Sequence, residues 1–358
     1  MLADFLAAVP MPLLAVDGQG WLVAANAPAG RLLGGLAVGR PFVATLRHAG
    51  VNAALDWVLD PRAVPAPPVD PDLLPPPEGG VRLRAQLPGA AGDLACEVTV
   101  APLAARLGGG ALVAIEDRSD IETLDLMRRD FIAKVSHELR TPLTALTGFV
   151  ETLRGPARDD AAARARFLEI MAAEAGRMNR LVQDLLSLSR VEAQERSRPA
   201  RPADIAALIR EAVAVLTPQA RAAGVELLAE GVEAPVRLPV DADQITQVLH
   251  NLIGNALTYG ASGGEVRVRL APVAHEPVLR GPGWAIEVAD KGEGIDPMHL
   301  PRLTERFYRV DGHRSRAKGG TGLGLAIVKH IVGRHRGRLR IRSGKGEGSA
   351  FTVILPDG

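Results

Sequence analysis

Between Ile121 and Leu188 apolar residues recur at three- and four-residue steps, and this periodicity constrains the fold more than any other feature of the chain. The first series is Leu124, Phe131, Val135, Leu139, Leu143, Leu146, Val150 and Leu153, and Gly155 and Pro156 stop it. After a short polar connection, Phe167, Ile170, Met178, Leu181, Leu185 and Leu188 form a second series. Both read as amphipathic helices, and the short connection makes them an antiparallel hairpin. Two helices bury too little apolar surface to stand alone. The shared stripe therefore predicts packing against a second copy, a four-helix bundle across a homodimer.

The hairpin divides 358 residues, a length suited to two or three folding units, into three segments: 1–117, 118–198 and 199–358. In the first, PLLAV and WLVAA flank a turn at Asp17 to Gly20 and read as a β-hairpin. The proline-rich run from Pro61 to Pro77 can sustain neither a helix nor a central strand and reads as an extended loop. DLACEVTVAPL and GGALVAIED then read as neighbouring strands about a turn at Gly108, Gly109 and Gly110. The last segment alternates helices near 204–216, 241–259 and 323–335 with strands at VELLA, EVRVRL, WAIEVAD, RLRIRS and AFTVILP, which predicts an α/β sandwich. Arg338, Arg340 and Arg342 alternate along one of these strands and are expected on its wet face, without a catalytic role.

Charge excludes one class of partner. Lys and Arg number 42 against 41 Asp and Glu, so a general basic surface for nucleic acid is absent and any phosphate recognition must be local. Cys96 is the only cysteine, which rules out an internal disulfide framework and suits a reducing compartment. Apolar residues make up 47% of the chain and aromatic ones 3%, so the cores must be aliphatic. No run approaches the ~18 to 20 apolar residues of a membrane span, and the first basic residue is Arg31, too late for a secretory signal. A cytoplasmic location is expected, either free or held at a membrane through a partner or an anchor outside these residues.

Four stretches carry residues suited to chemistry. In FIAKVSHELRTPLT, residues 131–144, His137 falls roughly opposite the apolar stripe, with Glu138 at its edge and Thr141 one turn on along the exposed face. A neutral imidazole can attack through one nitrogen while a carboxylate holds the other N–H. A lone His beside a Glu is usually an ordinary solvated face, but Pro142 inside this helix is a costly choice, about 3 kcal/mol, and points to a used bend. Asn251 and Asn255, one turn apart, can direct neutral amide oxygens at a Mg²⁺ shared with phosphates, or be two capping amides. ADKGEGID, residues 289–296, sets Asp290 at a strand end with Gly292 and Gly294 beyond it, where a carboxylate can accept from the amine of a base; alone it is a surface turn. GGTGLGLAIV, residues 319–328, places four glycines before a helix, so free N–H groups face whatever fills the loop. It lacks the ending of a P-loop and the preceding strand of a dinucleotide fold. Between Gly294 and Gly320, Arg302, Arg306, Arg309, Arg314, Arg316 and Lys318 oppose Glu305 and Asp311 and read as a basic lid.

The order SHELRTPL, HNLIGNALTY, DKGEGI, ERFYR and GGTGLGLAIVKHIV resembles the sensor histidine kinases of two-component systems in all five motif blocks, over residues 118–358. RRDFIAKVSHELRTPLTALTGFVETLRG and LVQDLLSLSR are similar to the phosphate-regulon sensor kinases of PhoR type. The amino-terminal PLLAVDGQGWLVAANAPAGRLLG resembles a PAS domain. The resemblance implies a multidomain α+β chain: a PAS-like α/β sensor domain (1–117), a dimerisation and phosphotransfer hairpin (118–198), and a catalytic ATP-binding α/β sandwich of GHKL or Bergerat type (199–358). It implies that His137 is the phospho-acceptor, Glu138 its general base and Thr141 a group that orients water in dephosphorylation. Asn255 matches the Mg²⁺ ligand, Asn251 a phosphate or metal contact, Tyr259 the residue flanking adenine, and Asp290 the adenine-specifying carboxylate. Gly292 and Gly294 match the glycines under the base. Gly320, Gly322 and Gly324, with Thr321 and Leu323 between them, match the lid hinge and phosphate loop. Phe307 and Arg309 fall at an aromatic and a basic lid position. Thr258 stands where the family usually has Lys, which removes a candidate phosphate cation.

The expected reaction is autophosphorylation of His137 from Mg²⁺·ATP, followed by transfer to an aspartate of a response regulator's receiver domain, with dephosphorylation of that regulator as a second activity. Two alternatives stay open: a protein that works chiefly as the regulator's phosphatase, and a non-catalytic ATP-dependent interaction module. Labelled ATP separates the first from a net kinase, and indifference to His137→Gln would mark the second.

Overall fold

The first hairpin turn forms because Asp17 satisfies it: its Oδ1 accepts from the N–H groups of Gln19 and Trp21, both at 2.9 Å. The strands either side are β1 (Leu13–Val16) and β2 (Leu22–Ala25). In this computed structural model, residues 2–68, 70–90, 92–155, 157–194, 197–310 and 320–357 are described. Pro156, Asp311, Arg314, Arg316, Lys318 and Gly319 of the sequence reading lie outside them, as does the side chain of Leu124. The chain divides into two compact units after Ile132.

In the first unit, β3 (Val81–Gly89), β4 (Gly92–Pro102) and β5 (Ala111–Asp117) join β1 and β2 in a five-stranded antiparallel sheet of order β2-β1-β5-β4-β3. The helices α2 (Ala27–Leu33), α3 (Phe42–Thr45) and α4 (Ala49–Leu59) bury Phe42, Val51 and Leu55 with Leu14, Leu22, Leu87, Val98 and Ile115 of the sheet. A sheet-containing α/β unit was expected here, and the sheet with its helices forms one. Strand β3 and these three helices go beyond the sequence reading. Asn26 ties α1 (Leu2–Ala7) to the sheet: its amide donates to the carbonyls of Leu6, Val9 and Met11 and its oxygen accepts from Leu13 and Ala29. Cys96 is buried on β4, and burial, with the Asp117 and Glu122 carboxylates, pushes its thiol up to about 11. At neutral pH it is a small apolar side chain.

The helical series becomes α5 (Ser119–Arg154) and α6 (Ala161–Gln194), with Phe149 and Phe167 stacked at 5.3 Å near the hairpin turn. Helix α5 runs through Pro142, whose missing N–H leaves the Glu138 carbonyl without its usual donor. Leu181, Leu188 and Val191 are buried, whereas Leu143, Val150, Leu168, Val182 and Leu186 are exposed in the single chain. Among the described residues no helix is long and apolar enough to cross a membrane.

The carboxy-terminal segment folds as a two-layer α/β sandwich. Its sheet has the order β11-β12-β10-β9-β7, from β7 (Glu226–Glu230), β9 (Glu265–Glu276), β10 (Gly281–Asp290), β11 (Arg338–Gly344) and β12 (Gly348–Pro356). Only β7 and β9 pair in parallel. Helices α7 (Ile205–Ala222), α8 (Ala242–Tyr259) and α9 (Gly324–Arg334) contribute Ile209, Ile245, Leu249, Ile327 and Ile331 to a core with Val268, Ile286 and Val353. A small ribbon of β6 (Pro202–Asp204) and β8 (Arg237–Pro239) precedes α8.

One expectation is corrected. Arg338 and Arg340 are not a plain wet face: Arg338 donates to Glu276 Oε1 at 2.6 Å and Arg340 pairs with its Oε2. Glu276 is fully buried at the end of β9; burial raises its carboxyl, but the two guanidinium donors prevail and hold it below the ordinary range. A buried carboxylate needs such partners. Arg342 alone is exposed.

The start of α8 depends on a buried imidazole. Asp241 caps the helix at Gln244, Arg334 donates to Asp241 at 3.0 Å, and His335 Nε2 accepts from the Asp241 N–H at 3.1 Å while Nδ1 faces the Ile331 carbonyl at 2.7 Å. The ring must be neutral with its proton on Nδ1. Burial lowers its pKa below 6.5, so the stability it confers is present above that value and is lost as pH falls through the folded pKa. Denaturant midpoints of the wild-type chain should therefore drop as pH falls below about 6.5, and His335→Gln should lose that component of the slope.

Candidate active site

Asp290 is the last residue of β10, opposite Ser349 of β12. Its carboxylate accepts from Gly292 N–H at 2.9 Å and from the Ser349 backbone, yet burial outweighs both and pushes its pKa up. Only glycine fits around it. A Cβ on Gly260, at the end of α8, would lie 2.4 to 2.6 Å from the Asp290 side chain, and one on Gly292 would lie 2.5 Å from Gly260 Cα. Gly294 has φ +70°, and a Cβ there would meet the Gly344 carbonyl at 1.9 Å. The glycines of this motif thus bring the strand end against α8 and β11.

A cavity of about 770 Å³ opens beside this junction. Asn251, Asn255, Tyr259, Asp290, Gly294, Arg309, Gly320, Thr321, Gly322 and Gly324 all line it. Residues as far apart in sequence as Asn251 and Gly324 are thereby gathered around one space. Gly292, Phe307 and Leu323 are not in its lining. Leu323 is fully buried and anchors the loop below, and among the described residues no side chain caps α9, which leaves the first N–H groups of that helix to a ligand. Phe307 adopts φ +63° and donates its N–H to the Gly322 carbonyl at 2.8 Å, while Gly322 at φ +75° leaves room for the Phe307 backbone.

Asn251 and Asn255 present their amides on one face of α8. A Cβ on Gly324 would sit a tight 3.1 Å from Asn251 Oδ1, and among the described residues Asn251 Nδ2 is buried without a hydrogen-bond partner, a donor suited to a phosphate oxygen. Thr258 instead spends its hydroxyl on the Gly254 carbonyl at 2.7 Å. A cation in this part of the wall is Arg309, only 9% exposed, with Nε buried and unpartnered among the described residues.

His137 is exposed on α5, as its helical phase requires, and lies outside the cavity lining. Thr141, also exposed, donates to the His137 carbonyl at 3.2 Å. Glu138 is half-buried and its Oε2 receives Arg177 at 3.1 Å and Arg309 at 3.3 Å. Helix α6 supplies wall residues that the sequence reading missed: Asn179, Arg180, Gln183 and Asp184. Asp184 accepts from the Thr321 hydroxyl at 2.7 Å; burial raises its pKa, against that hydrogen bond and the charge of Arg180. Arg306 reaches Glu192 at 2.6 Å, and Ser187 bonds Gln247 at 2.7 Å. Tyr308, also in the wall, is fixed by His299 at 2.7 Å and by Arg302 over its ring. No local pattern announces these contacts.

Residues 127–194 match the His kinase A phospho-acceptor domain, and residues 240–358 match the histidine kinase-, DNA gyrase B- and HSP90-like ATPase. The chain belongs to the sensor histidine kinases. It is 43% identical over 242 residues to the phosphate regulon sensor protein PhoR of Pseudomonas aeruginosa, covering 67% of this chain and 53% of that protein. It is 39% identical over 248 residues to the sensor-like histidine kinase SenX3 of Mycobacterium tuberculosis, covering 69% and 58%. This sensor kinase chain spans little more than half the length of those curated relatives. The crystal structure of histidine kinase ThkA, in complex with the response regulator protein TrrA, aligns over 99% of this chain and 98% of that one with a TM-score of 0.50 at 18% identity, a likeness of fold.

The approach of Gly260 to Asp290 yields a direct test of the site. Gly260→Ala must displace the carboxylate, so it should weaken nucleotide binding by about tenfold or more, the loss of one charged hydrogen bond, while the thermal transition of the first unit stays where it is. Fluorescent-nucleotide titration and a melting curve read the two effects.

Proposed function

We propose that the chain is an ATP-dependent protein-histidine kinase in which residues 199–358 bind nucleotide, residues 118–198 dimerise and carry the acceptor His137, and residues 1–117 receive the signal. The observation that carries this reading is the convergence of Asn251, Asn255, Asp290 and the glycine loop on one cavity, in the same unit as a solvent-facing His137. Asp290 would accept from the exocyclic amine of adenine, with Tyr259 beside the ring. Asn251, Arg309 and the N–H groups at the start of α9 would take the phosphates, Arg309 serving where Thr258 gives no charge.

The donor set also fits Mg²⁺. Among the described residues no cluster of three or more His, Cys, Asp or Glu could cage a metal, and two neutral amide oxygens with phosphates and water are what a small hard cation takes. Asn255, aided by Asn251, would hold it, and when bound it neutralises charge on the transferring phosphoryl group. The lone pair of the His137 imidazole attacks the γ-phosphorus, the bond from phosphorus to the ADP oxygen breaks, and ADP leaves. Glu138 orients the ring and takes the proton from its other nitrogen. Alignment supplies most of the rate, because the transition state is loose.

The apolar side chains left exposed on α5 and α6, Leu143, Val150, Leu168, Val182 and Leu186, support a homodimeric bundle. The phosphoryl group would pass to an aspartate of a response regulator, a partner class supported by the complex solved for ThkA. Thr141, on the exposed face one turn from His137, suits the reverse task of orienting water against the phosphorylated regulator. The kinship with PhoR favours phosphate-responsive regulation.

Incubation with [γ-³²P]ATP tests the reading. Acid-labile label should appear on the wild type and fall by at least about a hundredfold in His137→Gln and Asn255→Ala, the scale of losing a nucleophile or a phosphate-positioning group. Undiminished label in His137→Gln would contradict it.

A further inference from the structure

The helical hairpin reaches the nucleotide cavity with two carboxylates. Glu138 of α5 accepts from Arg309, and Asp184 of α6 accepts from the Thr321 hydroxyl. Both donors belong to the wall of the cavity that also contains Gly320, Gly322 and Gly324. Arg309 is a largely buried cation of that wall, and among the described residues its Nε still lacks an acceptor. A glycine-rich loop before a helix, an arginine and a hydroxyl are donors for anionic oxygen, and two of them are engaged by oxygens from another part of the fold.

We propose that Glu138 and Asp184 compete with nucleotide phosphates for Arg309 and Thr321, so that docking of the hairpin on the nucleotide domain and binding of nucleotide oppose each other. The inference rests on the nucleotide reading of the cavity. A polyphosphate brings several negative charges to a wall where each carboxylate brings one, and it can satisfy Arg309 Nε as well. Its arrival therefore displaces both carboxylates, which its own charge also repels. Glu138, released from Arg309, is then free to turn toward its neighbour His137 while Arg177 keeps it on the hairpin. Arg177 is a positioning residue in this scheme. Linkage makes the effect reciprocal: the factor by which each carboxylate weakens phosphate binding is the factor by which phosphate weakens its contact.

The full chain, titrated calorimetrically with the Mg²⁺ complex of β,γ-imido-ATP and separately with adenosine, tests the proposal. Glu138→Gln and Asp184→Asn keep the shape of each side chain and remove its charge. Each should tighten the phosphate-bearing analogue by about threefold to tenfold and leave adenosine, which has no phosphate, unchanged. The gain from Glu138→Gln should vanish in an Arg309→Met background, and that from Asp184→Asn in a Thr321→Val background. Analogue affinities within about twofold of wild type, weaker ones, or equal tightening of adenosine would overturn the competition while leaving the nucleotide reading intact. Wild-type chain that binds no analogue, or binds it regardless of Asp290→Asn, would remove the reading and the inference with it.

Discussion

The meeting of the α8 terminus with the end of β10 is the constraint on which the site depends. Gly260 and Gly292 come together so closely that neither can carry a side chain, and Asp290 is held between them in partly buried form. That contact fixes the distance between the carboxylate and the two asparagines, Asn255 and Asn251, farther back along α8. The sheet and helices behind it are aliphatic and ordinary. Their packing supplies the rigidity a nucleotide pocket needs, and the capping network of Asp241, Arg334 and His335 anchors the far end of the same helix.

Electrostatics links this pocket to the hairpin. The chain is almost neutral overall, yet Arg177, Arg309, Arg306 and the carboxylates Glu138, Asp184 and Glu192 meet along α6 and the loop before the glycine motif. Several of these groups are largely removed from water, where a charge left without a partner is costly. The hairpin and the nucleotide domain thus offer each other partners in one arrangement, and any anionic ligand changes which partner is preferred. A kinase needs such a choice, since its nucleotide domain must hold the substrate and also release the acceptor helix.

The sequence was most informative where chemistry is local. Helical phase alone put His137 on the exposed face and Glu138 at the stripe's edge, and the glycine spacings marked the strand end and the loop before α9. The strands around Asp17 and Gly108 to Gly110 were legible from turn residues. Strand β3 alternates in VRLRAQL, but it follows directly on a proline-rich loop, and seven residues of alternation are a weak signal beside it. Helices α2, α3 and α4 span only seven, four and eleven residues, which leaves little periodic signal. The pairing of Arg338 and Arg340 with Glu276 spans more than sixty residues, and Asp184 with Thr321 more than a hundred. No windowed pattern can encode such contacts; they follow from how layers stack after each element has formed.

The claim at the centre is that one cavity binds adenine at Asp290 and phosphates at the glycine loop, within the unit that bears His137. A crystal structure of the full chain with the Mg²⁺ complex of a non-hydrolysable ATP analogue tests it most directly. The account predicts the exocyclic amine of adenine within hydrogen-bond distance of the Asp290 carboxylate, the ion on Asn255, and Arg309 on a phosphate oxygen. A nucleotide bound elsewhere, or bound here with its base away from Asp290 and Arg309 still on Glu138, would contradict it.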